Sequence, residues 1–178
     1  MISILINMIE TIIIIILISI ILIFSSIHKS EVIFVESFTD NNSYLVRNLP
    51  DKQKASNNLG KIRDYLRKTI NFIINKINIV ENKEETEMMN EDYKYLEMSE
   101  YIKKIDSLFD NIIFSETSAD STFTSYSINK GEEIVFCLRS KEDNLLHNIN
   151  LVMYVAIHEV AHVGCPEIGH TPLFHKIN

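Results

Sequence analysis

The stretch "HEVAH", residues 158–162, sets two histidines four positions apart with a glutamate directly after the first. On a helix, His158 and His162 project from one face, one turn apart, and both can ligate a single Zn²⁺. Glu159 sits beside His158 around the helix. It lies too far round to share the ligand face, but it can reach a water held by the metal. A carboxylate there takes the water's proton and later delivers it to a leaving amine. The surroundings sharpen the reading. Leu151, Val152, Met153, Val155, Ala156, Ile157, Val160 and Val163 leave few polar positions on this segment. Unpartnered His and Glu side chains in such a helix would cost free energy, and a metal with its water removes that cost. The competing reading is a chance HExxH on an ordinary helix whose histidines are satisfied in the core. The apolar context, the helix break and a downstream histidine favour the metal.

A catalytic zinc needs a third protein ligand and an open fourth position. Gly164 and Pro166 end the helix, and Gly169 helps the chain reverse. His170 is then the leading third ligand, with Glu167, Cys165 and His175 as competitors. His28 and His147 are not expected to be ligands. Tyr126, Tyr154 and Arg139 are unranked candidates for stabilising an oxyanion.

"HEVAH" followed by "GHTPLF" resembles the active-site segment of the WLM and SprT-like zinc metallopeptidases, in which a third histidine follows inside a G-H-x-x-x-F-like element. The resemblance implies His158, His162 and His170 as zinc ligands, Glu159 as general base and Phe174 as the packing residue after the third ligand. Together with "TSYSINKGEEIVFCLRS", the segment also resembles uncharacterised proteins of large DNA viruses. The wider resemblance covers residues 44–178, while the signature itself occupies the last twenty or so. The spacing from His162 to His170 is not that of metzincins. Families of this kind usually continue into a helix beside the site, whereas this chain stops at Asn178, so an incompletely walled site is expected. Their role in proteolysis of DNA–protein crosslinks is not carried over.

The elements that must position these residues can be read from periodicity. Pro50 and Asp51 open a helix with Ala55, Leu59, Ile62, Leu66, Ile70, Ile73 and Ile77 in one apolar stripe. Its basic residues lie off the stripe, as a solvated face. "ENKEETEMMNED", residues 81–92, is an acidic linker. A second stripe follows at Tyr95, Met98, Ile102, Ile105, Phe109 and Ile112. Residues 121–140 read as a β-hairpin turning near Asn129-Lys130-Gly131. Glu142, Asp143 and Asn144 offer caps to the metal helix, expected from about Leu145 to Val163. A peptide substrate must lie extended beside the metal, and an exposed sheet edge can hold it by main-chain pairing. Glu132–Leu138 is the candidate edge, although an internal core strand fits that segment equally.

The N-terminal run Ile2–Phe24 has only Asn7 and Glu10 as costly interruptions and is long enough to span ~30 Å of hydrocarbon. It lacks the basic start and small-residue cleavage site of a signal peptide. Lys29, Arg47, Lys52 and Lys54 follow it while no Lys or Arg precedes it, which places the C-terminal domain on the cytoplasmic side. The net charge of −7 argues against a general nucleic-acid binder. Two cysteines, Cys137 and Cys165, make no disulfide framework.

The expectation is an α+β protein with a transmembrane anchor (1–28), a juxtamembrane connector (29–49, with strand potential at Glu31–Phe38) and a small zincin-like domain (50–178). Its function would be zinc-dependent hydrolysis of protein or peptide substrates at a membrane. The alternative is an inactive zincin-like protein that binds zinc or partners without turnover.

Overall fold

The structure is a computed structural model that describes residues 12–20, 31–122 and 124–178. The chain divides into two compact units, Met1–Glu31 and Val32–Asn178.

In the first unit, residues 12–20 are helical with exposed side chains. Among the described residues no helix is long and apolar enough to cross a membrane. The expected single-pass anchor, and the localisation drawn from it, are therefore not upheld. The remainder of that expected span, Glu10 included, lies outside the described residues.

The second unit is α+β, as expected, and is built on a five-stranded sheet in the order β1-β2-β3-β5-β4. Strands β1 (Val32–Glu36) and β2 (Ser43–Arg47) form an antiparallel hairpin. Residues 32–49, expected to be a connector, thus carry two strands of the sheet, and the compact unit begins at Val32 rather than at residue 50. Helix α1 (Lys52–Glu81) follows, then a 3₁₀ turn at Glu85–Glu87 and helix α2 (Asn90–Phe109). The pair forms the crossover that brings β3 (Ile113–Glu116) parallel to β2. Strand β5 (Glu133–Phe136) pairs parallel with β3 and antiparallel with β4 (Tyr126–Ile128). Helices α3 (Ile149–Gly164) and α4 (Pro172–Ile177) close the unit.

The apolar stripes account for the packing. On α1 the buried positions include Ala55, Leu59, Ile62, Leu66, Ile70 and Ile77, and on α2 they include Ile102, Ile105 and Phe109. These meet Val46, Phe114, Ile134 and Phe136 from the sheet and Ala156, Val160 and Val163 from α3 in one core. Gly164 lets α3 approach α2 closely: a Cβ there would lie 2.8 Å from the Ile105 side chain and 3.1 Å from the Tyr101 carbonyl oxygen. Any side chain at 164 would push the metal helix off its support.

Candidate metal centre

Helix α3 begins at Ile149, not Leu145. Its N-cap is Asn148, whose side chain accepts a hydrogen bond from the Asn150 N–H at 2.9 Å. That bond satisfies one of the helix's free N–H groups. The capping groups expected upstream serve the preceding turn instead, where Asp143 accepts from the Leu145 N–H. From this start α3 buries Val152, Ala156, Val160 and Val163 against the core and turns His158 and His162 toward a cleft of about 800 Å³.

After Gly164 the chain leaves the helix and crosses an exposed loop, with Gly169 in the left-handed region at φ 84°. His170 is delivered to the same cleft. Thr171 then caps α4, its hydroxyl accepting from the Phe174 N–H, with Pro172 in the first turn. Helix α4 is short and ends at Ile177. It places Phe174, fully buried, against the rings.

The three histidines converge. One ring nitrogen from each of His158, His162 and His170 lies within 4.8 Å of the others. Nε2 of His158 and Nε2 of His170 are 3.0 Å apart. Tetrahedral coordination at a Zn–N distance of about 2.0–2.1 Å sets ligand nitrogens roughly 3.4 Å apart. The donor set fits such an ion after sub-ångström to ångström adjustment of the rings. Phe174 supports all three: it stacks on His162 at 4.2 Å and 23°, meets His158 edge-on at 4.9 Å and lies 5.0 Å from His170.

The electrostatics agree with a ligand role. Burial, then the charges of His170 and His175, hold His158 below the ordinary imidazole pKa. Burial, then His158, His170 and Lys130, do the same for His162. Both rings are thus kept neutral, the form that ligates a metal. Burial alone pushes the Glu159 carboxyl up. Glu159 is 7 % exposed, lines the cleft, and has no hydrogen-bond partner among the described residues.

The competing ligands lie at different distances from the three rings. Cys165 is fully buried outside the cluster, and both cysteines are free thiols. Glu167 lines the cleft, and the His175 ring stands 6.3 Å from that of His170. His147 borders a smaller pocket of about 190 Å³, and His28 lies outside the described residues. Of the candidates for oxyanion stabilisation, Tyr126 and Tyr154 line the cleft. Arg139 does not. Its guanidinium is held by Glu116 at 2.7 Å and Asp51 at 2.8 Å.

The sheet order decides between the two readings of Glu132–Leu138, edge strand or internal core strand. Strand β5, the proposed edge, is interior, paired on both sides. The edge beside the metal helix is β4, and Thr124 to Ser127 form that wall of the cleft. Local pattern does not reveal which strand of a hairpin ends a sheet, because that depends on which of the two β3 joins.

Comparison with known proteins adds a family. The chain is 40% identical over 156 residues to "Uncharacterized protein R325" of Acanthamoeba polyphaga mimivirus, covering 84% of this chain and 68% of that protein. It belongs to the family of that mimivirus protein. It also resembles "Uncharacterized protein 136R" of Invertebrate iridescent virus 6, 26% identical over 149 residues and 83% of each chain. No protein-family model matches. Among solved structures, Wss1 from Saccharomyces cerevisiae overlaps with a TM-score of 0.44 at 18% identity, over 74% of this chain and 78% of that one.

Proposed function

We propose that the chain is a zinc-dependent metallopeptidase that hydrolyses peptide bonds, with His158, His162 and His170 as ligands and Glu159 as general base. The observation that carries this reading is the convergence of three imidazole nitrogens within 4.8 Å beside a buried, partnerless carboxylate in an open cleft. The resemblance of "HEVAH" and "GHTPLF" to WLM and SprT-like metallopeptidases supports the same roles.

Zinc, when bound, supplies Lewis acidity and a coordinated water acidic enough to ionise near neutral pH. The protein's part is positional and protonic. Phe174 fixes the planes of the imidazoles. Glu159, whose carboxyl burial raises above the ordinary carboxylate pKa, is placed to accept a proton and return it to the departing amine. Strand β4, the last strand of the sheet among the described residues, runs along the wall of the cleft beside which an extended peptide would lie.

The test is metal analysis of the full chain, wild type against His162→Ala, followed by hydrolysis of a mixed peptide pool. The reading expects one zinc per wild-type chain, a large loss in the variant, and cleavage that stops in Glu159→Gln. Wild-type protein without stoichiometric metal would sink it. Zinc without turnover would leave a zinc-stabilised binding protein.

A further inference from the structure

The loop that delivers His170 is poorly supported by its own residues. Residues 166–170 are exposed, and Ile168 is 89 % exposed. A Cβ on Gly169 would meet nothing within 4 Å. Such a segment should sample many positions, whereas a metal ligand must be held to within about 0.5 Å. Some group outside the loop has to restrict it.

Lys130 is that group. It sits at the tip of the β4–β5 hairpin, where Asn129, Lys130 and Gly131 are all left-handed at φ 48°, 53° and 108°. This run folds the tip onto the end of α3: a Cβ on Gly131 would lie 2.7 Å from Val163. From there Nζ of Lys130 donates to the carbonyl oxygens of Pro166 at 2.5 Å, Cys165 at 3.3 Å and Glu167 at 3.5 Å. No other side chain among the described residues bonds to a carbonyl of this loop. Cys165 is the C-cap of α3, but Pro166 and Glu167 lie beyond it, so the contact reaches past the helix end into the loop.

We infer that Lys130 is a positioning residue for the metal centre: by gathering three successive carbonyls it fixes the start of the loop and thereby aims His170 at His158 and His162. The inference rests on the metallopeptidase reading above. It also ties the third ligand to the same hairpin whose outer strand walls the cleft.

The sign of the effect separates this role from simple electrostatics. Lys130 is a cation lining the same cleft. If it acted only as a charge, its removal would strengthen binding of a dication. As a positioning residue, its removal weakens binding. Lys130→Met keeps the side-chain length and the backbone preference while deleting the donor. The full chain is titrated with Zn²⁺ against a chromophoric chelator. Outer partners of metal ligands are typically worth about 10–100-fold in affinity, and a loss of that size is expected. Lys130→Arg should recover most of it.

His170→Ala and the double variant complete a cycle. With His170 gone, Lys130→Met should cost nothing further. Unchanged or tighter zinc binding by Lys130→Met overturns the inference alone, as do losses that simply add in the double variant. Wild-type protein that binds no zinc overturns the metal reading and this inference with it. A Co²⁺ absorption spectrum that changes in Lys130→Met as it does in His170→Ala would support the role independently of turnover.

Discussion

Arg139 and Glu116 meet in the interior with their charges matched, whereas His158, His162, His170 and Glu159 meet at a cleft with theirs unmatched. The first cluster is closed. Arg139 Nε donates to Glu116 and its Nη1 to Asp51 and to the Asn144 carbonyl, while the second Glu116 oxygen accepts from the Arg47 N–H at 2.8 Å. Only Nη2 of Arg139 lacks a partner among the described residues. That cluster ties the end of β2, the start of α1, the end of β3 and the segment after β5 to one another. In the second cluster His158 and His170 can bond only to each other, and Glu159 has nothing. A polar group buried with partners secures a fold; one buried without them, facing a cleft, points to something the protein binds.

The contrast can be broken most sharply by exchanging a single atom in the open cluster. Glu159→Gln keeps the shape and removes the base, so hydrolysis should fall by about 10²–10⁴-fold while bound zinc and the melting temperature barely move. Comparable loss of zinc would show the carboxylate to be structural.

In the closed cluster the effect should fall on stability instead. Arg139→Met leaves Glu116 buried and unpaired, a change that typically costs about 3–5 kcal/mol. Chemical denaturation measures it, and pairing the variant with Glu116→Leu should restore much of the loss. If Arg139→Met lowered zinc affinity at constant stability, the division between the clusters would fail.

Phe174 belongs to both worlds, since it is core and also floor to the rings. Phe174→Leu keeps an apolar filling but loses the stack, worth about 0.5–1.5 kcal/mol. Zinc affinity should drop by about tenfold or less, with the loss read in the same chelator competition.

The smallest effect is on acidity. In the metal-free chain the His158 and His162 resonances should titrate below pH 6.5, because burial and neighbouring charge disfavour the imidazolium. The unfolded chain then takes up protons first, so stability should fall as pH drops from 6.5 through the folded-state pKa and level off below it. Midpoints above 6.5 by NMR would contradict the geometry.

Much of the architecture was legible because it is local. The stripe from Ala55 to Ile77 marked α1, and Asn129-Lys130-Gly131 marked the hairpin turn. Ile112 extended the second stripe one step too far: α2 ends at Phe109, and Ile112 is buried just before β3. A four-residue strand directly after a helix continues its apolar run and carries no signal of its own. Strand β2, a five-residue run between short polar turns, was not read as a strand.

For the site, the sequence by itself named the candidates, His158, His162 and His170 as ligands and Glu159 as base. Four-residue spacing on a helix fixes where two imidazoles and a carboxylate point, whatever the rest of the chain does. Only the tertiary structure decided where the third imidazole arrives, which strand forms the wall, and that Lys130 grips the loop between them. Those facts depend on groups distant along the chain meeting in space, and on a lysine whose partners are backbone carbonyls that carry no residue identity. No local pattern encodes such a meeting, because its energy exists only once the hairpin, α3 and the loop have packed together.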